Sequence, residues 1–148
     1  MRRYFLFALF LLFNSSLVTA QSHSAKSMMV MNMDKEETYK QLLKFAQEND
    51  YFITSLNPEV GFQQWKYISK GKGILARERR LYINLFLHSE KTNEQRIDFQ
   101  INLETQQSTN DVGDFRKTFK DEGVVHETAY YDGLIRLLKT YFDRIQTE

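Results

Sequence analysis

Residues 95–106 alternate without interruption: Ile97, Phe99, Ile101 and Leu103 are separated by Asp98, Gln100 and Asn102 and flanked by Arg96 and Glu104. A period of two sends successive side chains to opposite faces, so this segment reads as a strand with one buried and one wet face, as in an antiparallel sheet. The preceding run offers a matching set, Leu81, Ile83, Leu85 and Leu87. Pairing Leu87 with Ile97 also sets Leu85 opposite Phe99, Ile83 opposite Ile101 and Leu81 opposite Leu103, with Arg80 facing Glu104 on the other side. A slip of one residue would mix the two faces, so this register is preferred.

Two more strands precede this hairpin. Residues 51–56 (YFITSL) are rich in β-formers, and Asn57-Pro58-Glu59-Val60-Gly61 supplies a turn with proline and glycine in their usual roles. Residues 62–70 form the second strand and Gly71-Lys72-Gly73 the next turn. The long third strand covers residues 74–88, a turn covers 90–94, and residues 95–106 are the fourth strand. Helices flank the strands. Asp34 followed by Glu37 reads as a capping box, and Tyr39, Leu42, Leu43 and Ala46 form one buried stripe up to Glu48. Asn49 and Asp50 end that helix because both tolerate the left-handed conformation. The last helix runs over residues 128–146, with Tyr131, Leu134, Leu138, Tyr141, Phe142 and Ile145 as its stripe. Gly133 costs it up to about 1 kcal/mol relative to alanine and marks a close backbone approach in this reading. Residues 107–127 are a polar connection with apolar anchors, and a short helical turn is expected over 114–119. The expected fold is α+β: helix, four-stranded antiparallel meander, helix, with both helices on one face of the sheet.

The N-terminus constrains location. Met1-Arg2-Arg3 precedes an apolar run over residues 4–13, and Val18-Thr19-Ala20 supplies a cleavage site before Gln21. This is the pattern of a secretory signal peptide over residues 1–20. Ten apolar residues rise about 15 Å as a helix, whereas a bilayer needs roughly 20 residues, so no membrane span is expected after cleavage. Residues 21–33 read as a mobile tail and 34–148 as one domain. Without residues 1–20, which hold two arginines and no acid, 18 basic and 19 acidic side chains remain. That balance argues against a nucleic-acid binder. Cysteine is absent, which removes disulfides, thiolate metal sites and a cysteine nucleophile. An exported chain without cysteine points to a bacterial periplasmic or secreted protein.

No catalytic constellation emerges. The sequence has no G-x-S-x-G and no S-x-x-K. His23, His88 and His126 lack the spacing of a zinc site, and the acids read as solvated. Met28, Met29, Met31 and Met33 are soft thioethers of the kind that suit Cu(I), but they read first as packing filler. No cofactor or metal is expected. Lys70, Lys72, Arg77, Arg79 and Arg80 make a basic patch, whose guanidinium groups are expected to stack on Trp65 and Tyr67.

The sheet's second face breaks the pattern. With Leu81, Ile83, Leu85 and Leu87 under the helices, Tyr82 and Phe86 face away, among Asn84, Gln100 and Asn102. Pairing Lys66 with Glu78 brings Phe62 opposite Tyr82. An aromatic patch ringed by polar residues is a candidate contact surface, unless Phe115 and Phe119 of the 107–127 connection cover it. The binding residues expected are Phe62, Tyr82 and Phe86, with an envelope protein or a second copy of the chain as partner.

The stretches Tyr39-Lys40-Gln41-Leu42-Leu43, Tyr51-Phe52-Ile53-Thr54-Ser55-Leu56-Asn57 and Gly61-Phe62 resemble small exported bacterial domains of unknown function with a TATA-binding-protein-like or helix-grip arrangement. The resemblance implies that fold and a cell-envelope setting, and it carries no catalytic residues. The expected function is a non-enzymatic binding or protein-interaction module of the envelope. The alternative is a small-ligand or hydrolytic site in the groove between the sheet and the C-terminal helix.

Overall fold

Four consecutive strands follow from the alternating runs: β2 (Phe52–Asn57), β3 (Phe62–Lys70), β4 (Glu78–Lys91) and β5 (Glu94–Gln106), each antiparallel to the next. The computed structural model describes residues 26–70, 77–107 and 117–147. The expected signal peptide, His23, the turn at 71–73, and residues 114–116 of the expected helical turn lie outside the described residues.

The meander is not the whole sheet. Two further strands lie end to end on the outer edge of β5. β1 (Ser27–Met31) pairs with residues 94–98, and β6 (Phe119–Val124) pairs with residues 102–106, both antiparallel. Among the described residues the sheet therefore has six strands, in the order β1/β6, β5, β4, β3, β2. This corrects two expectations. Residues 27–31 are a strand rather than part of a mobile tail, because Met28 and Val30 face the core while Met29 and Met31 face away. Phe119 opens β6 instead of ending a helical turn.

The junction between the two half-strands is closed by a side chain. The Phe99 N–H donates to the Lys26 carbonyl (2.7 Å), and the Val125 N–H donates to the Ile101 carbonyl (2.8 Å). The Ile101 N–H falls between them and donates to the Tyr131 hydroxyl (3.2 Å), which in turn donates to the Val125 carbonyl (2.8 Å). Lys26 Nζ lies 3.4 Å from that same carbonyl and 4.7 Å from the Tyr131 ring centre. A buried backbone donor without a partner is costly, and here a tyrosine of the last helix replaces the missing strand residue.

The β4–β5 register is the one expected, with Leu87 opposite Ile97, Leu85 opposite Phe99, Ile83 opposite Ile101, Leu81 opposite Leu103 and Arg80 opposite Glu104. The β3–β4 register differs by four residues. Lys66 faces Tyr82 and Phe62 faces Phe86, while Glu78 faces Lys70. The pairing is anchored at its far end, where Phe62 faces Phe86 and the Gly61 carbonyl receives the Leu87 N–H. Gly61, at φ +72°, sets the entry to β3. Its N–H donates to the Pro58 carbonyl, its carbonyl accepts the Leu87 N–H at 2.8 Å, and a Cβ there would lie 2.5 Å from the Leu87 oxygen.

Both helices, α1 (Lys35–Glu48) and α2 (Thr128–Ile145), cover the same face. Asp34 caps α1 by accepting the Glu37 N–H at 2.8 Å. The reciprocal half of the box is replaced by a bond from Gln41 to the Glu37 carboxylate. Asp50, at φ +59°, turns the chain out of α1. Between helices and sheet lie Leu42, Phe45, Trp65, Ile83, Leu85, Leu87, Ile97, Ile101, Tyr131 and Leu138, all buried. Phe45 touches Trp65 and Tyr141 with ring centres 5.9 and 5.3 Å apart, which joins α1, β3 and α2. Gly133 does not mark a close approach, since a Cβ there would meet nothing within 4 Å.

Candidate functional site: the open face of the sheet

With both helices on one side, β-pleating fixes what the other side displays. Across the centre of this open face the strands present Gln64, Asn84 and Gln100 in one row and Phe52, Lys66, Tyr82 and Asn102 in the next. Ile68, Arg80, Glu104 and Asp121 form a third row. On the far side of the amide row stand Phe62 and Phe86, whose ring centres are 5.2 Å apart. Phe86 is 38% exposed and Phe52 60% exposed.

The three expected contact residues are thus on one face but not in one cluster. Phe62 and Phe86 form a cross-strand pair. Tyr82 is set apart by the amide row, and its hydroxyl donates to Glu104 Oε2 at 3.3 Å. Lys66 Nζ sits 5.4 Å from the Tyr82 ring centre, where the negative face of the ring attracts it. Between Tyr82 and the edge of β6 the face sinks into a shallow dish of about 300 Å³, lined by Gln64, Tyr82, Asn84, Asn102, Glu104 and Asp121.

The floor of the dish is a chain of amides. Thr54 Oγ1 donates to Gln64 Oε1 (2.8 Å), and Gln64 Nε2 donates to Asn84 Oδ1 (2.8 Å). Asn102 Oδ1 is shielded from solvent and accepts no hydrogen bond from the described residues. A shielded acceptor without a donor costs about 1–3 kcal/mol. Asn84 and Asn102 belong to the polar set that surrounds the aromatic residues in the sequence. Gln64 and Asp121 were hidden, one by the β3 register and the other by the unrecognised strand β6. An amide recurring where a solvated strand ordinarily carries charge is the signal that points to Gln64; Asp121 has no such signal.

Beyond the dish the face is held by ion pairs. Glu78 is buried at the β6 end, 3.1 Å from Lys117 Nζ and 3.2 Å from Arg80 Nε. The bond from Lys117, aided by that from Arg80, holds its carboxyl below the usual glutamate range against the opposing effect of desolvation. Arg80 also stacks on Phe119, 3.4 Å from the ring centre. The expected stacking of the basic patch on Trp65 fails because Trp65 is fully buried on the opposite face, and Lys72 lies outside the described residues. At the other end, Arg96 bonds Glu90 (2.8 Å) and lies 3.3 Å from Asp98, which also sits 3.3 Å from His88 Nε2. The methionines are divided. Met28 is in the core and Met33 packs against it, while Met29 and Met31 stand exposed on the open face.

Beneath α2 the described residues Ile101, Tyr131 and Leu138 are buried, with the Tyr131 hydroxyl bonded as above, whereas Trp65 lies against Phe45 of α1 with its Nε1 on Gln63, which in turn donates to the Tyr39 carbonyl. Among the described residues no helix is long and apolar enough to cross a membrane.

No family model and no curated protein matches the chain. Among solved structures it is similar to a DUF4468 family protein from Bacteroides ovatus, with a TM-score of 0.45 and 8% identity over 78% of this chain and 84% of that one. That relative belongs to a bacterial family of unknown function, and the TATA-binding-protein-like arrangement is not part of its description. No residue role is transferred from it.

Proposed function

We propose that this chain is an exported, non-enzymatic binding module of the cell envelope, and that it engages its partner through the open sheet face around Phe62, Tyr82 and Phe86. The observation that carries the reading is the Phe62–Phe86 pair. It stands half-exposed on the helix-free side of a sheet whose other side buries Trp65, Ile83, Leu85, Leu87, Ile97, Phe99 and Ile101. Large, rigid aromatic side chains are the residue types that anchor interfaces. The polar groups around them are largely paired with one another, through Tyr82–Glu104, Gln64–Asn84 and Arg96–Glu90. The surface is therefore already ordered before it meets a partner. The export pattern of residues 1–20 supports a location in the envelope or outside the cell, with Gln21 as the first residue of the mature protein in this reading.

The test changes Tyr82 and Phe86 to serine and measures melting temperature together with self-association and retention on envelope fractions. Association lost with only a small fall in melting temperature supports the reading. A large fall in melting with association unchanged overturns it. N-terminal mass spectrometry of the exported protein checks the Gln21 start, and an intact Met1 on a membrane-bound species would refute it.

A further inference from the structure

The dish at the centre of the open face has a chemistry of its own, and from it we infer the ligand class: the dish is a subsite for one pyranose unit of a glycan whose chain continues over the Phe62–Phe86 pair. The inference deepens the binding-module reading above and rests on it.

Size sets the first limit. About 300 Å³ lies at the low end of the roughly 300–1,000 Å³ range of small-ligand sites. The lining sets the second. Five of its six residues end in a planar amide or carboxylate, and the sixth is a tyrosine. An apolar ligand would strand these groups without partners. An anion would face Glu104 and Asp121. A cation would find two carboxylates, but Glu104 already accepts from the Tyr82 hydroxyl, Asp121 Oδ1 already accepts from the Gly123 N–H, and the Lys66 ammonium lies over the Tyr82 ring. The described residues also hold no cluster of three acids, histidines or cysteines that would bind a metal ion.

What remains is a neutral ligand that donates and accepts at several adjacent points. The Gln64 bond uses Asn84 Oδ1 and leaves the Asn84 Nδ2 group, which can only donate. Glu104 and Asp121 offer their second oxygens as acceptors. A hydroxyl group both donates and accepts. Neighbouring hydroxyls on one sugar ring therefore answer this mixed set, where an amine, which only donates, answers half of it. Phe86 follows Tyr82 by four residues on β4, roughly 13 Å along the strand. A further sugar unit extending that way meets the Phe62–Phe86 rings with its C–H face.

The experiment titrates isotope-labelled protein with chitotriose and with maltotriose, following the side-chain amide signals of Asn84 and Asn102, with putrescine and inorganic phosphate as comparison ligands. Saturable shifts at both amides with either trisaccharide support the inference, and the two sugars separate an N-acetylated from an unmodified source. Asn102→Leu should weaken sugar binding roughly tenfold or more with the melting temperature kept. Phe86→Ser should weaken the trisaccharide while leaving the corresponding monosaccharide unchanged. No saturable shift with either sugar, or saturation by putrescine instead, overturns it. If the sugars fail while Phe86→Ser still abolishes envelope association, the glycan inference falls and the binding-module reading stands.

Discussion

On the helix side of β4, Ile83, Leu85 and Leu87 are almost completely buried, whereas on the other side of the same strand Tyr82 and Asn84 stay partly exposed and Phe86 stays open. The backbone is shared, so the difference lies in what each face must do. The helix side is closed by apolar packing that tolerates little change in volume. The open side is held by hydrogen bonds and ion pairs between neighbouring strands, and it keeps an aromatic pair that adds little to the fold and an unbonded amide oxygen that costs it. Function is sought where the cheaper arrangement, a fully solvated surface, was not adopted.

The comparison breaks most visibly at adjacent residues. Leu85→Ala should cost about 2–5 kcal/mol because its cavity opens in the packed layer. Asn84→Ala, one residue away, removes a single neutral bond and should cost no more than about 1.5 kcal/mol. Equal losses in urea melts would show that the two faces do not differ as described. Glu78 tests the exception, a buried charge on the open side. Glu78→Gln should cost about 1–3 kcal/mol at neutral pH, since two charge-assisted bonds are weakened. Its carboxyl is held below the ordinary value of 4.5, so its contribution is complete above that pH and is lost as pH falls through the lower folded value. The variant's stability should therefore approach the parent's in acid, and a gap that stays constant from pH 7 to pH 3 would contradict the pairing. Gly133→Ala probes whether the helix layer is filled everywhere. The open space at that position predicts a gain of up to about 1 kcal/mol in a thermal melt, and a loss would reveal a contact. The smallest effect belongs to Phe86→Ser, about 0.2–1 kcal/mol from the lost cross-strand pair, with binding, not stability, as the property that changes.

Periodicity made the helix side legible. The β4–β5 register could be read because four apolar residues on each strand must coincide, α1 because stripe and cap agree, and α2 from its stripe. The open side was legible only in composition. Its aromatic residues were visible at Phe62, Tyr82 and Phe86, but their neighbours depended on the β3–β4 register, which polar and aromatic alternation did not fix. The strands β1 and β6 escaped for a different reason. Five and six residues long, SMMVM and FKDEGV carry little β-pattern of their own and become strands because the edge of β5 is there to receive them. Asp121, and with it one wall of the dish, was lost with β6.

The tyrosine that fills the junction between β1 and β6 gives one amide a distinct meaning. The Ile101 N–H is protected by a side chain of α2, whereas the Phe99 N–H, two residues back on the same edge, is protected by the chain before β1. Hydrogen exchange at these two sites therefore separates two openings that a melting curve would merge. Exchange at Ile101 reports release of the last helix, and exchange at Phe99 reports detachment of the first strand.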